Sequence, residues 1–479
     1  MRHLDLGPEF FDVVAPAAFP AHVLRYRNQG WAARVGLDSL TDAEWIDHFG
    51  RFLPLPGSLE QPLALRYHGH QFRHYNADLG DGRGFLFGQV HDHWDGRLLD
   101  FGTKGSGTTP WSRGADGRLT LKGGVREVLA SSMLEALGVD TSKSFSLIET
   151  GEALTRGDEP SPTRSSVLVR LSHSHIRIGS FQRLAALGDG EGIRSLMDHV
   201  VRIYLPEVHG ETEPERARAF FAAVCRRVAR TGAQWMAAGF VHGVLNTDNV
   251  NVTGESFDYG PWRFLPSYQP DFTAAYFDYH GLYAYGRQPD ALAWSLGRLG
   301  GCLLALAGNT DLKSGLEAEL AEFGPILQAA FSAAVLHRLG LRPHTPERDA
   351  ALAGTFFAAL QETQAPFDQA FFDWRGGMAG PVSRSRSPSA AHYATPAFDR
   401  LREAIAGYEP APDAGLDHPY FRRETPFSML IEEVEAIWAP IAERDDWSRF
   451  YGKLEEITQM GEAMGNGLRE ASPYVPPPP

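Results

Sequence analysis

The sequence predicts an α+β protein with two lobes, a β-rich lobe followed by an α-rich lobe. Between Tyr67 and about Gly179, short strand-like runs are separated by turn dipeptides such as Asp81-Gly82 and Asp116-Gly117. One helix interrupts this region, because apolar residues recur at helical spacing from Val125 to Leu137 and Gly138 can end it. Downstream, apolar stripes with a period of roughly 3.6 residues predict a succession of helices.

The same patterns divide the chain into four parts. The parts are an N-terminal extension (1–65), the β-rich lobe (66–186), the α-rich lobe (187–375) and a helical C-terminal extension with a Pro-rich tail (376–479). In the first part, we predict a helix from Thr41 to Phe49. In the last part, the Ser-, Arg- and Pro-rich run from Ser383 to Pro396 predicts a flexible connection, and Pro476 to Pro479 an extended tail.

Composition and charge narrow the class of protein. The chain has 479 residues, and its 45 Lys and Arg against 59 Asp and Glu give a net charge of -14, which argues against a nucleic-acid partner. Its only cysteines, Cys225 and Cys302, are too few for a disulfide framework and predict core positions in a reducing compartment. Without a secretory segment or eighteen uninterrupted apolar residues, we expect a cytoplasmic protein, or an organellar one after processing, with no membrane partner. We also expect a monomer.

The stretch from His242 to Asp258 carries the strongest chemical signal. Nucleotidyl and phosphoryl transfers need a divalent cation with oxygen ligands, and Asn249 and Asp258 can supply them. A strand over Val250 to Val252 predicts a tight hairpin that brings these two side chains together. Asp248 projects differently and can accept a hydroxyl proton, although in kinases the base precedes the corresponding Asn by five residues. The alternative is a turn whose side chains cap their own backbone.

Upstream residues favour the chemical interpretation. Lys104 ends a predicted strand and Glu127 lies early on the inserted helix, so the pair can direct an ammonium group at phosphates, as in kinases. The alternative is an exposed Lys and an exposed Glu that do not meet. Arg170 on a strand and Arg177 after it can clamp a polyphosphate, or else form ordinary surface ion pairs.

Two further strings have a weaker signal. The run Leu79 to Gly84 can bind phosphates through backbone N–H groups, or can be a simple Gly-rich hairpin. His68 and His70 have the spacing of two metal ligands on one strand face, but no nearby Cys or carboxylate cluster completes a zinc site, so we interpret them as structural.

Taken in order, these strings resemble the selenoprotein O family, also called the YdiU family, of kinase-like protein adenylyltransferases. The resemblance covers roughly Tyr67 to Trp294. The motifs are Gly69-His70-Gln71-Phe72, Leu79-Gly80-Asp81-Gly82-Arg83, Lys104-Gly105-Ser106-Gly107, Thr109-Pro110-Trp111-Ser112-Arg113, Asp116-Gly117-Arg118, Arg126-Glu127, Ser174-His175-Ile176-Arg177, His242 to Asn249, Asp258-Tyr259-Gly260-Pro261 and Gln288-Pro289.

The resemblance implies a kinase-like two-lobed fold that binds ATP in the orientation opposite to that in kinases. The α-phosphate then meets the acceptor, and AMP is transferred to Ser, Thr or Tyr hydroxyls of protein substrates. The roles implied are Asp248 as base, Lys104 paired with Glu127 on the phosphates, Arg170 and Arg177 on the departing pyrophosphate, Gly80, Gly82, Arg83, Asp116 and Gly117 along the nucleotide, and Asn249 with Asp258 on Mg²⁺, with Mn²⁺ as the alternative metal.

The chain departs from the family pattern at several positions. Arg73 stands where the family commonly has Gly, Trp111 where it has Tyr, and Gly281-Leu282-Tyr283 where it has Gly-Arg-Tyr. The redox residue that the family carries near its C-terminus, Cys or selenocysteine, is missing from Tyr474 to Pro479. The resemblance therefore does not extend to redox control through the tail.

Three other functions remain open from the sequence. A kinase of ordinary orientation would transfer the γ-phosphate, and a nucleotide-binding scaffold would transfer nothing. The scaffold leaves Asp248 without a purpose, since binding alone needs no base. A metal-dependent hydrolase leaves the two arginines unexplained.

Overall fold

The computed structural model describes residues 2–157, 159–306, 310–382 and 384–467. The architecture is α+β, as the sequence predicts, with an antiparallel sheet and many helices. The strands are β1 (Phe11–Val13), β2 (Val23–Arg27), β3 (Leu63–Leu65), β4 (Gly69–Gln71), β5 (His74–Asn76), β6 (Leu86–His91), β7 (Leu98–Lys104), β8 (Leu119–Thr120), β9 (Lys143–Leu154), β10 (Thr163–Ser172), β11 (Phe240–His242) and β12 (Trp262–Phe264).

The main sheet follows the order β1-β3-β6-β7-β10-β9-β2, and β8 pairs with β10. Residues 1–65 supply both edge strands, β1 and β2, so this part of the chain is built into the sheet. Every residue of the central strand β7 is buried. Lys104 at its end pairs across the sheet with Leu168 of β10, and this register holds the lysine inside the protein.

The helices pack on both faces of the sheet and form the second half of the chain. They are α1 (Gln29–Arg34), α2 (Asp42–Phe49), α3 (Leu121–Ala136), α4 (Ile178–Ala186), α5 (Gly190–Tyr204), α6 (Glu213–Ala238), α7 (Gln288–Leu303), α8 (Thr310–Ala321), α9 (Phe323–Leu339), α10 (Pro346–Thr363), α11 (Phe367–Asp373), α12 (Ala390–Tyr393), α13 (Pro396–Ile405), α14 (Ile431–Arg444) and α15 (Ser448–Ala463). The predicted helix near Thr41 is confirmed as α2, which Thr41 caps through the backbone N–H of Glu44.

The two faces of the sheet have different partners. On one face, Val167, Val169 and Leu171 pack with the aromatic residues of α2, as their alternation predicts. On the other face, α3 packs against β9 and β10. This helix is the predicted inserted helix, and the Thr120 side chain caps its start by accepting from Gly123 N. Its buried side includes Glu127, which faces the end of β7.

The long helix α6 leads into the candidate catalytic loop. Thr212 and Glu215 form a capping box at its start, and Gly239 ends it with φ 69°. The chain then enters β11, which pairs with β12 and not with the residues immediately after the loop. The loop therefore connects the two strands of the short β11–β12 ladder, which closes it at its base.

The predicted hairpin strand from Val250 to Val252 is wrong. Ile178 N donates to Val250 O, and Val252 N donates to Ile176 O. The segment therefore pairs with the residues around Arg177. The backbone groups of Val250 and Val252 thus bond to residues that come earlier in the chain, and they cannot also pair with a following strand. The next strand of the chain is β12, which pairs with β11 instead.

The predicted flexible connection from Ser383 to Pro396 is instead folded where it is described. Ser387 is buried and donates to Asp373 Oδ2 at 2.5 Å, and Tyr393 at the end of α12 donates to the same oxygen at 2.6 Å. A buried carboxylate thus organises a run whose composition predicts a linker. Ser383 itself and the predicted tail, Pro476 to Pro479, lie outside the described residues.

Among the described residues, one helical stretch is long and apolar enough to cross a membrane. It runs from Asp311 to Leu339, with a mean hydropathy of 1.2, and 22% of its most apolar window is buried. The stretch contains most of α8 and all of α9, both of which contact α6. It meets the criterion by length and composition only, which the core helices of soluble proteins also do. The absence of a membrane partner stays a prediction.

Gly84 lies where the Gly-rich run meets β7, and it gives a test of this packing. A Cβ at Gly84 would stand 2.1 Å from Thr103 O, a backbone atom that cannot move independently of the sheet. We expect Gly84→Ala to lower the free energy of unfolding by roughly 1–3 kcal/mol, measured by urea denaturation. Gly354→Ala on α10, where nothing stands within 4 Å, is the control and should raise it by roughly 0.5–1 kcal/mol. Equal effects of the two substitutions would contradict the close approach.

Candidate active site

A cavity of about 430 Å³ opens between the end of β7, the Gly-rich run and the loop after β11. Its lining contains every predicted site residue except Glu127, namely Gly80, Gly82, Arg83, Lys104, Asp116, Gly117, Arg170, Arg177, Asp248, Asn249 and Asp258. Seven of the lining side chains are cationic and four are carboxylates. In a chain with a net charge of -14, this local excess of cations indicates an anionic ligand.

Lys104 connects the sheet, the inserted helix and the loop. Its ammonium group contacts the Glu127 carboxylate and lies 2.7 Å from Asp258 Oδ1. Lys104 and Glu127 are both buried, so the predicted contact forms and the exposed alternative does not. Glu127 does not line the first cavity and lines the neighbouring one instead. Its carboxylate therefore positions the ammonium group of Lys104 without being part of the first cavity wall.

Asp258 is a carboxyl of the cavity that lies among several cations. Its Oδ1 also accepts from Arg170 Nη1 at 3.1 Å. Burial alone would raise the pKa of Asp258, but the nearby cations of Lys104, Arg170 and Arg83 outweigh it and hold the pKa well below its usual range. The residue has φ 64°, and the next residue, Tyr259, donates its buried hydroxyl to Ser256 Oγ at 2.7 Å. Asp258 is therefore ionised and fixed in direction.

Asp248 lies in a short 3₁₀ turn, Thr247–Asn249, that other segments hold in place. Thr247 Oγ1 accepts from His70 N at 2.7 Å, and Asn246 Oδ1 accepts from Phe72 N at 3.0 Å and from the Tyr283 hydroxyl at 2.8 Å. Asn246 and Thr247 thus bind distant groups, whereas Asn249 Nδ2 donates to Val244 O within the same loop. The predicted alternative of a turn that caps itself therefore describes Asn249 but not Asn246.

The environment of Asp248 suits a proton acceptor. The residue is buried and its Oδ1 has no hydrogen-bond partner among the described residues. Burial raises the pKa of Asp248 to about 6, with the charge of Arg177 acting in the opposite direction. A buried carboxyl oxygen without a partner is costly, so its retention points to a ligand that uses it.

Asn249 and Asp258 have the chemistry of magnesium ligands. Asn249 Nδ2 donates to Val244 O at 2.9 Å, which leaves Oδ1 as the atom of the amide that can coordinate. Asp258 Oδ1 is the carboxyl oxygen that Lys104 and Arg170 contact. The described residues contain no group of three His, Cys, Asp or Glu side chains that could hold a metal. A pair of oxygen ligands fits Mg²⁺, which takes one or two from the protein and the rest from water and phosphates.

Arg170 and Arg177 are buried, unlike the surface ion pairs considered from the sequence. Arg177 Nη2 lies 3.2 Å from Asp81 Oδ1, and its guanidinium stacks over the ring of Tyr67 at 4.2 Å. Both arginines also lie against the ring of Phe257, at 5.6 and 5.1 Å. Aromatic packing fixes the planar groups, so they can meet phosphate oxygens with little further loss of entropy.

The Gly-rich run does not form the simple hairpin considered as its alternative. Gly80 makes a single bridge to Arg66, and Asp81 Oδ2 accepts from Leu65 N at 3.0 Å. A Cβ at Gly80 would stand 2.4 Å from the ring of Trp111, which covers this part of the cavity wall. The indole N–H of Trp111 donates to Asp12 Oδ2 at 2.9 Å, so the N-terminal extension supports the wall from outside.

The cavity also contains cations to which the sequence analysis gave no role. Arg156 forms a two-pronged pair with Asp116, at 2.7 and 3.0 Å, and Arg118 lies 2.8 Å from Glu152. Arg113 lines the same region. Arg156 follows the end of β9 and is forty residues from its partner, so no local pattern could have identified it. Arg113 and Arg118 were visible only as members of the quoted motifs.

The predicted structural role of two histidines agrees with their contacts. His68 Nδ1 lies 2.6 Å from the Tyr75 hydroxyl, and His70 Nδ1 lies 2.7 Å from Gln182 Nε2. Both rings are thus hydrogen bonded within the protein. Cys225 and Cys302 are buried and unpaired, as core residues.

Comparison with known proteins gives one consistent family. The family model described as protein adenylyltransferase SelO matches residues 1–458. A protein of Trichormus variabilis named protein nucleotidyltransferase YdiU is 44% identical over 473 residues, which cover 95% of each chain. Proteins of the same name from Gloeobacter violaceus and Methylorubrum extorquens are 46% and 36% identical, over 95% and 98% of this chain and 93% and 95% of theirs. With a family model over most of its length and relatives of this similarity, the chain belongs to the SelO family of protein adenylyltransferases.

Proposed function

We propose that this chain transfers AMP from ATP to Ser, Thr or Tyr hydroxyls of acceptor proteins, with Mg²⁺ bound by Asn249 and Asp258. The observation that carries the proposal is a cavity lined by seven cations and by a buried carboxyl, Asp248, whose Oδ1 has no partner among the described residues. The cations suit a triphosphate, and the carboxyl suits an acceptor hydroxyl.

We also propose a kinase-like arrangement of two lobes with the nucleotide reversed in the site. The buried contact of Lys104 with Glu127 and the position of Asp258 beside Lys104 support the kinase analogy. Buried Arg170 and Arg177 support the reversal, since a departing pyrophosphate carries more charge than one lysine can neutralise. Mn²⁺ is the alternative metal.

The proposed step is an in-line displacement at the α-phosphorus. The acceptor oxygen forms a bond to the α-phosphorus while the bond from that phosphorus to the oxygen bridging the β-phosphate breaks. Asp248 takes the hydroxyl proton, and the bonding electrons leave with pyrophosphate, whose charge Arg170 and Arg177 neutralise. A bound Mg²⁺ would supply further neutralisation of the phosphates. We further propose a cytoplasmic location, which the unpaired, buried cysteines support, and no nucleic-acid partner, which the acidic net charge supports. A monomer is part of the same proposal.

The position of the transferred label tests the reaction. With α-labelled and γ-labelled ATP in parallel, we expect label on protein only from the α-labelled nucleotide. Asp258→Ala should lower this transfer by roughly 100-fold or more, because it removes a proposed metal ligand beside the phosphates. Glu60→Ala, at an exposed position, is the matched control. Label from the γ-position would establish a kinase instead, and full activity of Asp258→Ala would refute the assigned site.

The pKa of Asp248 predicts how the rate depends on pH. The base must be ionised, and its carboxyl has a pKa of about 6, so kcat should fall about tenfold per unit as the pH drops below 6. ATP binding measured at each pH separates loss of affinity from loss of the base. Asp248→Asn should lower kcat by roughly 10²–10⁴-fold and change ATP affinity little. A substitution that weakens binding and kcat equally would remove Asp248 from the proton transfer.

The buried carboxyl of Asp248 should also lower the free energy of unfolding at neutral pH, where it is ionised. Its pKa is about 3.8 when unfolded and about 6 when folded, so the folded state binds the proton more tightly and loses stability as the pH rises between these values. We expect Asp248→Asn to raise the free energy of unfolding at pH 7 by roughly 1–3 kcal/mol, and by little below pH 4. Thermal unfolding at the two pH values measures this. A gain that persists unchanged at low pH would have another cause.

A further inference from the structure

A second cavity, of about 470 Å³, adjoins the first. It lies between α3, the residues after Asp258, the segment around Phe277 and the start of α14. The two cavities share four lining residues, Arg83, Lys104, Arg118 and Arg156. An occupant of the second cavity would therefore lie beside the nucleotide.

Three of the cations that line this second cavity have no carboxylate within ion-pair distance among the described residues. They are Arg83, Arg126 and Arg263. The other cations are engaged: Lys104 contacts Glu127, Lys122 contacts Glu435, Arg118 contacts Glu152 and Arg156 contacts Asp116. Three guanidinium groups of this cavity are therefore not paired with a carboxylate of the cavity.

Arg126 on α3 and Arg263 on β12 are held next to each other. Both donate to Trp262 O, at 3.3 and 2.9 Å, and Arg126 stacks over the Trp262 ring at 4.7 Å. Burial and the charge of Arg263 together lower the pKa of Arg126 to about 10, against the opposing charges of Glu435 and Glu127. Glu435, whose charge acts on both arginines, is itself paired with Lys122. Two half-buried guanidinium groups that share one carbonyl can therefore bind an anion together.

The rim of the second cavity has the character of a protein-binding surface. Tyr276 is 79% exposed and Phe277 is 38% exposed, and both line the cavity. Exposed aromatic residues beside arginines are enriched where proteins bind one another. A small anion would make no contact with these aromatic side chains, whereas a polypeptide can pack against them.

We infer that this second cavity docks the acceptor protein and that Arg126 and Arg263 bind a Glu or Asp side chain close to the modified hydroxyl. The inference rests on the proposed function, because it assigns the acceptor of the same reaction. It makes the two arginines specificity residues, while the phosphates belong to the first cavity.

Peptide acceptors test this assignment. Each peptide carries one Ser or Tyr, with Glu at one of the five positions on either side, and a matched set carries Gln there. The full-length enzyme should use the best Glu peptide about tenfold better in kcat/KM than its Gln counterpart. Arg263→Gln should remove this preference through KM and leave the Gln peptides unaffected. Arg342→Gln, an exposed residue that lines neither cavity, should change nothing.

A charge-reversal variant distinguishes a change in peptide specificity from damage to the fold. Arg263→Glu should prefer Lys peptides over Glu peptides, which a damaged fold cannot produce, and Arg126→Gln gives a second variant at the same site. ATP affinity should stay within about twofold in each variant. A larger loss would assign the cavity to the nucleotide and overturn the inference.

The failures of the two proposals are distinguishable. Transfer of AMP to Glu and Gln peptides alike, at every position, would overturn the docking inference and leave the proposed function intact. Complete absence of AMP transfer to peptides and proteins would overturn both.

Discussion

The buried ammonium of Lys104 is the interaction on which the site depends. It joins the end of the central strand to helix α3 through Glu127 and to the loop after β11 through Asp258. A buried cation is tolerated only where such partners surround it, and the loss of one partner would leave the others with unbalanced charge. The sheet, the inserted helix and the segment around Asp258 are therefore placed relative to one another by a single charged group. A phosphate chain entering the cavity would compete for this cation, so ligand binding and the arrangement of the site are linked.

Charge and burial divide the cavity into parts with different chemistry. Asp258 is kept ionised by Lys104 and Arg170, whereas burial raises the pKa of Asp248, ten residues earlier. Two carboxyl groups in one cavity thus differ in proton affinity, which separates a candidate metal ligand from a candidate base. The stability lost by burying Asp248 fits this separation, since functional sites commonly keep groups that the fold alone would not favour.

Much of this could be predicted from the sequence, because the signals were local. Helix α3, helix α2 and the alternation of Val167, Val169 and Leu171 follow from periodicity and capping residues. The cavity residues were found through ordered motifs and a family resemblance. The failures were at long-range contacts. The segment around Val250 pairs with residues near Arg177, and Asp373 folds the run near Ser387. Arg156 meets Asp116 across forty residues, and no window of sequence contains both partners.

The edge strands of the main sheet have a consequence for how the protein reaches this structure. Val23 of β2 pairs with Glu149 of β9, so a strand made early during synthesis finds its partner more than a hundred residues later. Closing so long a loop is slow, and until then the edge of the sheet exposes unpaired backbone groups. Strand β2 can therefore join the sheet only after β9 has been made, although it leaves the ribosome first. Asp12 on β1, which supports the cavity wall through Trp111, pairs with β3 and can be in place well before β2 closes the other edge.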